Sequence, residues 1–423
     1  MKKNHPLSAI LLVMQTLIIH GRQPQIGRAE LESLQGPDKL RPVGEKATLL
    51  DIDPQEIDFM RLGGMVKFCK VLTVLDTINW GEIEQFLIST TPAHFASLPE
   101  GKLKIGLSVY GLKANVRRIL ATALELKKAG KTAGRSIRII PNKELALNSA
   151  QVLHNKLTQK LGWELVFVRD GDKTILAQSI AVQDIDAYAA RDHGRPCRDP
   201  RVGMLPPKLA QTLINLAVGP LNVAQQTESS KQLMILDPFC GTGVIAQEAT
   251  MMGYGAMASD IDPRMVDCTD KNLMWLLGQP KCQVVRPAET LHDPKWRYFS
   301  AQQADATSAQ WDSFDTIACE TYLGRPLSSL PDSNTLQKIV NDCDTIHKKF
   351  LQNVARQTQT GFRLCLAVPA WKTKDGFLHL KTLDKLAQLG YNRLKLEHVS
   401  DEELIYHRPG QVVARELLLL KRK

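Results

Sequence analysis

The chain has 423 residues, 43% of them apolar and 23% charged, with a formal net charge of +10. This is the make-up of a soluble globular protein of two or three domains, and no apolar run approaches the roughly 18 residues of a membrane span. The eight cysteines are scattered without a C-x-x-C pair, which argues against zinc and for small core residues in a reducing compartment; no metal is expected. In chain order, Leu7–Ile19 behind Met1-Lys2-Lys3 has the outline of a signal peptide, but Gln15 and Thr16 interrupt it and no small-residue cleavage site follows, so a buried strand is expected. Ile26–Leu34 reads as a helix with Glu30 and Glu32 on its wet side. A glycine turn at Gly63-Gly64 leads into a strand, and Ile83–Ile88 reads as a short helix. Residues 103–110 alternate as a strand, 114–129 carry apolar side chains at helical spacing, Ser136–Ile140 is a strand, and Ala146–Leu161 is a helix. Trp163–Arg169 and Thr174–Ala181 pair around the Asp170-Gly171-Asp172 turn.

Residues 101–143 hold eleven Lys/Arg against a single acid, Glu125. A block this basic suits a polyanionic partner, most simply nucleic acid, although charge runs also occur as plain solvated helix faces. Lys113, Arg117, Arg118, Lys127, Lys128 and Lys131 are its candidate RNA contacts. After residue 185 an arginine-rich joint precedes Pro206-Pro207, which fix the chain entering a helix, Lys208–Val218. Its Arg195 and Arg198 are candidates either for phosphate contact or for tying domains together.

The second half alternates strands and helices around one segment, Met234–Gly243. An apolar strand runs into Asp237, then Pro238-Phe239-Cys240-Gly241-Thr242-Gly243, then a helix. Glycine lets the backbone turn sharply and lets a ligand come close, and the helix N-terminus offers free N–H groups. The acid stands before the glycines, which suits a ligand with an amino group and a ribose but no pyrophosphate. The next strand ends in Asp260, whose carboxylate can accept both ribose hydroxyls. Further strands are expected at Lys281–Val285, Phe314–Cys319, Arg363–Val368, Arg393–Val399 and Ala414–Leu420, with helices at Pro263–Leu277, Leu336–Gln357 and Leu380–Leu389.

The Asp237–Gly243 and Asp260 segments resemble motifs I and II of S-adenosylmethionine-dependent methyltransferases. The lead-in R-D-x-x-R-P (from Arg191) followed by G-M-L-P-P-K-L-A (from Gly203) resembles that of THUMP-containing tRNA guanosine N2-methyltransferases. Gly21-Arg22-Gln23-Pro24 and Leu62-Gly63-Gly64-x-Val66-Lys67 look like their N-terminal region. The resemblance implies an α/β architecture: a C-terminal class I, Rossmann-like methyltransferase with a seven-stranded, mostly parallel sheet, and an N-terminal α+β THUMP-like RNA-binding module. The expected divisions are 1–60, a leading α+β region; 61–185, the RNA-binding domain; 186–230, linker and lead-in helix; and 231–423, the methyltransferase. The resemblance further implies S-adenosylmethionine as cofactor, with Asp305 accepting from the adenine amine and Ala306 beside it.

Amino methyltransferases place a D/N-P-P-Y/F segment at the end of the fourth strand. Here Glu320-Thr321-Tyr322 stands in that place, one residue shorter and without prolines. Glu320 is then the acceptor for the amine and Tyr322 the stacking platform; alternatively Tyr322 packs in the core and Glu320 pairs with Arg325. The expected function is methylation of the N2 amine of a guanosine in tRNA by a cytoplasmic monomer, with an accessory subunit left open. The alternatives are a DNA amino methyltransferase, or an RNA-binding assembly factor on a methyltransferase scaffold without turnover.

Overall fold

The computed structural model describes residues 15–199, 204–220, 232–278 and 299–423. The first half runs β1 (Thr16–His20), α1 (Pro24–Gln35), β2 (Leu40–Val43), β3 (Ala47–Leu50), β4 (Met65–Leu75), α2 (Trp80–Thr90), β5 (Leu103–Tyr110), α3 (Val116–Thr132), β6 (Ile137–Ile139), α4 (Ser149–Asn155), β7 (Gly162–Asp170) and β8 (Lys173–Val182). The second runs α5 (Ile185–His193), α6 (Pro207–Val218), β9 (Met234–Asp237), α7 (Val244–Met251), β10 (Gly255–Asp260), α8 (Pro263–Leu277), β11 (Phe299–Gln303), β12 (Thr316–Glu320), α9 (Ser333–Gln357), β13 (Arg363–Lys372), β14 (Phe377–Leu378), β15 (Tyr391–Arg393), β16 (Ile405–Tyr406) and β17 (Val413–Arg422).

These elements form two compact units that interleave along the chain, where the sequence reading had placed contiguous divisions. One unit comprises residues 1–21, 38–59 and 65–184; the other comprises 22–37, 60–64 and 185–423. The first unit is built on an eight-stranded sheet of order β2-β3-β1-β4-β8-β7-β5-β6. Leu103, Ile105, Leu107 and Val109 of β5 pack with Ile119, Ala123 and Leu126 of α3 and with Trp80, Ile83 and Leu87 of α2. Burying that stripe leaves Lys127, Lys128 and Lys131 of α3 exposed. Lys67 does not face water: it is buried against Glu164 and donates to the Leu147 carbonyl at 2.8 Å, while the Ser108 and Ser179 hydroxyls donate to the same carboxylate. A buried charge is tolerated only when paired in this way.

The second unit carries a sheet whose main path is β11-β10-β9-β12-β13-β17-β15, with β14 and β16 pairing onto β13 and β17. Numbered within the unit, that order is third, second, first, fourth, fifth, seventh, sixth. Only β17 on this path runs antiparallel to its neighbours. Both faces are covered, so alternate residues feed two cores. Ile235, Ala318, Cys365 and Leu417 pack beneath α6 and α7. Leu236, Ile317, Cys319, Leu364, Leu366 and Leu418 face α9, which presents Leu336, Ile339, Val340, Cys343, Phe350, Leu351 and Val354. The chain order reverses between β9 and β12, and open α/β sheets keep their ligands at the strand ends beside such a switch.

Several expectations are corrected. Glu30 and Glu32 are buried, not wet. Glu30 accepts from the backbone N–H groups of Gly63 (2.8 Å) and Gly64 (2.7 Å), from the Asn215 amide (2.6 Å) and from Thr212 (3.3 Å). Glu32 accepts from the backbone N–H groups of Glu397 and His398. Helix α1 therefore docks on α6 through the Glu30 carboxylate as well as through Ile26 and Ala29. Gly63 and Gly64 have no room for a side chain, since a Cβ would collide with the Lys208 carbonyl or with Gly27. The expected helix over 146–161 shrinks to α4, because Lys156 takes a left-handed conformation (φ 59°) and ends it. The helix over 380–389 is a single 3-10 turn, Lys381–Lys385, and the strand over 393–399 is only the end of β15. Helix α5 was not foreseen. Beside β10 the described sheet carries β11 at Phe299–Gln303, whereas the segment 281–285 lies outside the described residues, as do most of 7–19 and the Arg201–Gly203 part of the joint.

Candidate active site

Strand β9 delivers Asp237 to the carboxyl edge of the sheet, and the turn that follows is held from three sides. The Cys240 N–H donates to the Ser259 carbonyl at 2.9 Å. Thr269 of α8 donates to the Gly241 carbonyl at 3.0 Å, and Asn272, one turn on, donates to the Thr242 carbonyl at 2.8 Å. Gly243 has φ 80° and lies so close to Thr269 that a Cβ would stand 2.9 Å from its side chain. A residue other than glycine would therefore push α8 away from the turn.

The turn opens into a cavity of about 860 Å³ lined by Asp237–Thr242, Asp260–Asp262, Ala304–Thr307 and Glu320–Pro326. Both Asp260 oxygens are oriented by backbone N–H groups, Gly241 and Asp262, each at 2.9 Å. Asp305 is exposed and accepts from Thr307. Thus Asp237, Pro238, Phe239, Cys240, Gly241, Thr242, Asp260, Asp305 and Ala306 meet at one cavity, and Gly243 closes the turn behind them.

Burial pushes the Asp237 carboxyl well above its ordinary range, and the nearby Asp260 and Glu320 push it further. Burial likewise raises Asp260 and Glu320. A cavity walled by carboxylates that repel one another is relieved by a cationic ligand. S-adenosylmethionine fits: its ammonium and sulfonium are cationic, and its ribose has two hydroxyls to donate to Asp260.

At the end of β12, Glu320 is paired with Arg415 of β17, not with Arg325. Arg415 pulls the carboxyl down against the effect of burial. Tyr322 is 43% exposed at the cavity wall rather than packed in the core. Sequence reasoning missed Arg415; its signal is the adjacent charge pair Arg415-Glu416 set in the apolar strand V-V-A-R-E-L-L-L-L. It also missed Asn272, whose amide bridges Thr242 and the Cys197 carbonyl (both 2.8 Å) and which carries no distinctive sequence pattern.

Lys113, Arg117, Arg118, Lys127, Lys128 and Lys131 are all exposed. Arg118 pairs with Glu84 and Lys128 with Glu125. Arg198 is exposed too, but Arg195 is only 3% exposed and points to Gln247 of α7, which corrects its reading as a phosphate contact. Its neighbour Arg191 is buried in an ion pair with Glu248 (2.7 Å). The joint's buried arginines therefore fasten α5 and the lead-in to α7. Asn272 also accepts from the Cys197 N–H, bringing that segment onto α8, where Cys197 lies against Cys268 with their Cα atoms 5.3 Å apart. Cys69, Cys240, Cys319, Cys343 and Cys365 are all buried.

The strand order and the position of this cavity are those of the class I, Rossmann-like methyltransferase fold. Residues 201–390 match the family described as UPF0020, RMKL-like, methyltransferase domain. The chain is 29% identical over 210 residues to a tRNA (guanine(10)-N2)-dimethyltransferase from Methanothermobacter thermautotrophicus, a match covering 49% of this chain. The chain spans about half the length (51%) of that curated relative. Its fold is similar to the crystal structure of TrmN from Thermus thermophilus, with a TM-score of 0.50 and 14% identity across 97% of this chain and 100% of that one. Among the described residues no group of His, Cys, Asp and Glu is arranged to hold a metal ion, and no helix is long and apolar enough to cross a membrane.

Proposed function

We propose that this chain methylates the exocyclic N2 amine of a guanosine in tRNA. The observation that carries the reading is that Glu320 and Tyr322 stand in the same cavity as Asp237 and Asp260, at the end of the strand after the topological switch. Guanine presents two adjacent donors, N1–H and N2–H, and a carboxylate is their natural complement; the acceptor N1 of adenine would be repelled. The relative named above carries this substrate in its name. The basic face of α3 supplies phosphate contacts, as a THUMP-like module would, for an RNA recognised by shape and charge.

S-adenosylmethionine supplies an electrophilic methyl group on its sulfonium. The protein's own part is positional. Asp260 would hold the ribose hydroxyls, and Asp237 would accept from the ammonium group. Tyr322 stacks on the extruded base, which must leave its helix to expose the amine. Glu320 accepts from the amine, turns its lone pair toward the methyl, and takes up the proton that the methylated nitrogen releases. Arg415 pairs with Glu320, works against the effect of burial on its carboxyl, and fixes which oxygen faces the base.

The test is transfer from labelled S-adenosylmethionine to unmodified tRNA, with nucleoside analysis of the product. Glu320→Ala is expected to lower turnover by about 10²–10³-fold while cofactor affinity stays near wild type. Asp237→Ala is expected to lose both. Full turnover by Glu320→Ala, or a product other than N2-methylated guanosine, would reject the assignment.

A further inference from the structure

The segment Glu320-Thr321-Tyr322-Leu323-Gly324 lacks the prolines that would fix its backbone. We propose that Thr321 and His347 form a positioning pair that locks this turn to α9 and so aims Glu320 and Tyr322 at the substrate. The consequence for turnover rests on the function proposed above; the lock itself does not.

The geometry is closed on every side. Thr321 Oγ1 lies 2.6 Å from His347 Nε2, and His347 Nδ1 lies 2.6 Å from the Cys343 carbonyl one turn earlier in α9. A carbonyl only accepts, so Nδ1 carries the proton and Nε2 is left as an acceptor; the one Thr321 hydroxyl proton goes to Nε2 at 2.6 Å in preference to the Ala367 carbonyl, which lies 3.1 Å from the same oxygen. The Thr321 N–H donates to the Ala367 carbonyl of β13 at 3.0 Å. Three residues further on, Gly324 has φ 84°, and a Cβ on it would stand 3.2 Å from Cys343 Sγ and from Ile339 Cγ2. Helix α9 thus touches the turn on both sides of Tyr322.

His347 is 2% exposed and lies on the apolar stripe of α9, between Cys343 and Phe350, where an aliphatic residue would pack without a polar cost. Its two nitrogens are both used, one to fix the ring and the other to hold Thr321. Burial pushes the imidazole down to about 4, which keeps Nε2 an acceptor at neutral pH. Thr321, also 2% exposed, faces inward while its neighbour Tyr322 faces the cavity.

The experiment uses the full chain, with kinetics on tRNA, cofactor binding, and hydrogen exchange at residues 320–324 without substrate. Thr321→Val and His347→Leu should each lower kcat about 10- to 100-fold, the scale of a reacting group displaced by about 1 Å. Affinity for S-adenosylmethionine should hold, and the amides of the turn should exchange faster. The double variant should be no slower than the worse single one, because both remove the same bond. Thr321→Ser and His347→Gln, which keep a donor and an acceptor, should recover most of the loss. Unchanged kcat in Thr321→Val, or losses that multiply in the double variant, would overturn the lock. Should Thr321→Val lose cofactor binding through misfolding, Thr321→Ser decides: a loss as large as that of valine refutes a role for the hydroxyl. Should wild type methylate no tRNA, the proposed function fails, and exchange still decides the lock, with equal protection in wild type and Thr321→Val refuting it.

Discussion

Replacing Glu30 with alanine should destabilise the cofactor-binding unit severely, although Glu30 lies far from the cofactor in sequence. The carboxylate is wholly buried and satisfies two backbone N–H groups, Gly63 and Gly64, together with the Asn215 amide. Alanine leaves those three donors facing a void. Each buried donor left without an acceptor costs about 1–3 kcal/mol. Allowing for relaxation and some water entry, the expected loss is on the order of 3–6 kcal/mol. For a unit of this size each kcal/mol moves the melting temperature by about 2–4 °C, so a fall of roughly 6–24 °C follows. The assay is scanning calorimetry with and without S-adenosylmethionine, because a ligand raises only the transition of the unit that binds it. That transition, and not the other, should fall. Glutamine should lie between, since its amide nitrogen would meet a Gly63 or Gly64 N–H donor to donor. A loss below about 1 kcal/mol for alanine would show that the carboxylate is not what joins α1, Gly63-Gly64 and α6.

His347 makes a prediction of opposite character, in pH. Its ordinary value is 6.5, and it is held near 4 in the fold. The unfolded chain binds its proton first, so this residue's contribution is fully present above about pH 6.5 and is lost as pH falls toward 4, amounting to about 3 kcal/mol. His347→Leu should remove that part of the slope between pH 6.5 and 4 in urea titrations; an unchanged slope refutes it. Reversing the charges of Lys127, Lys128 and Lys131 should weaken RNA binding and lower the salt slope by about 2–3 if each meets one phosphate; unchanged affinity would mean that the face of α3 is merely solvated. Asp260→Asn should weaken S-adenosylmethionine binding by about 10- to 100-fold, read by calorimetry, since hydrogen bonds to a charged group are lost; unaltered affinity would remove Asp260 from the ribose site.

What was legible in the sequence was local. A strand ending in Asp237, two glycines and a helix can be read within ten residues, as can the next strand ending in Asp260, because backbone geometry sets each residue type from its near neighbours. The buried carboxylates were not legible. Periodicity assigns any Glu on a helix to water, and nothing near Glu30 announces two N–H groups that arrive 33 and 34 residues later. Arg415 was hidden for the same reason, since its partner Glu320 is 95 residues earlier and the two meet only because β13 lies between their strands. The overcalled helices failed at single residues: Lys156 turns left-handed, and the run after Leu380 closes after one turn. His347 was visible as a polar residue in an apolar stripe, but the stripe could not say that its second nitrogen faces Thr321.

The interleaving of the two units bears on how such a chain is made and inherited. The polypeptide passes from one unit to the other at 21/22, 37/38, 59/60, 64/65 and 184/185. On the ribosome, α1 emerges long before α6, the surface it will cover, so Glu30 meets Thr212 and Asn215 only 182 and 185 residues later and Glu32 meets Glu397 and His398 only 365 and 366 residues later. No single cut separates the units, and a fragment beginning at 185 would expose the α6 face that α1 covers and leave Asn215 without its acid. The unit that carries the Asp237–Asp260 cavity is therefore not contiguous in the chain: its first helix lies inside its neighbour's span, so no single continuous segment contains all of it.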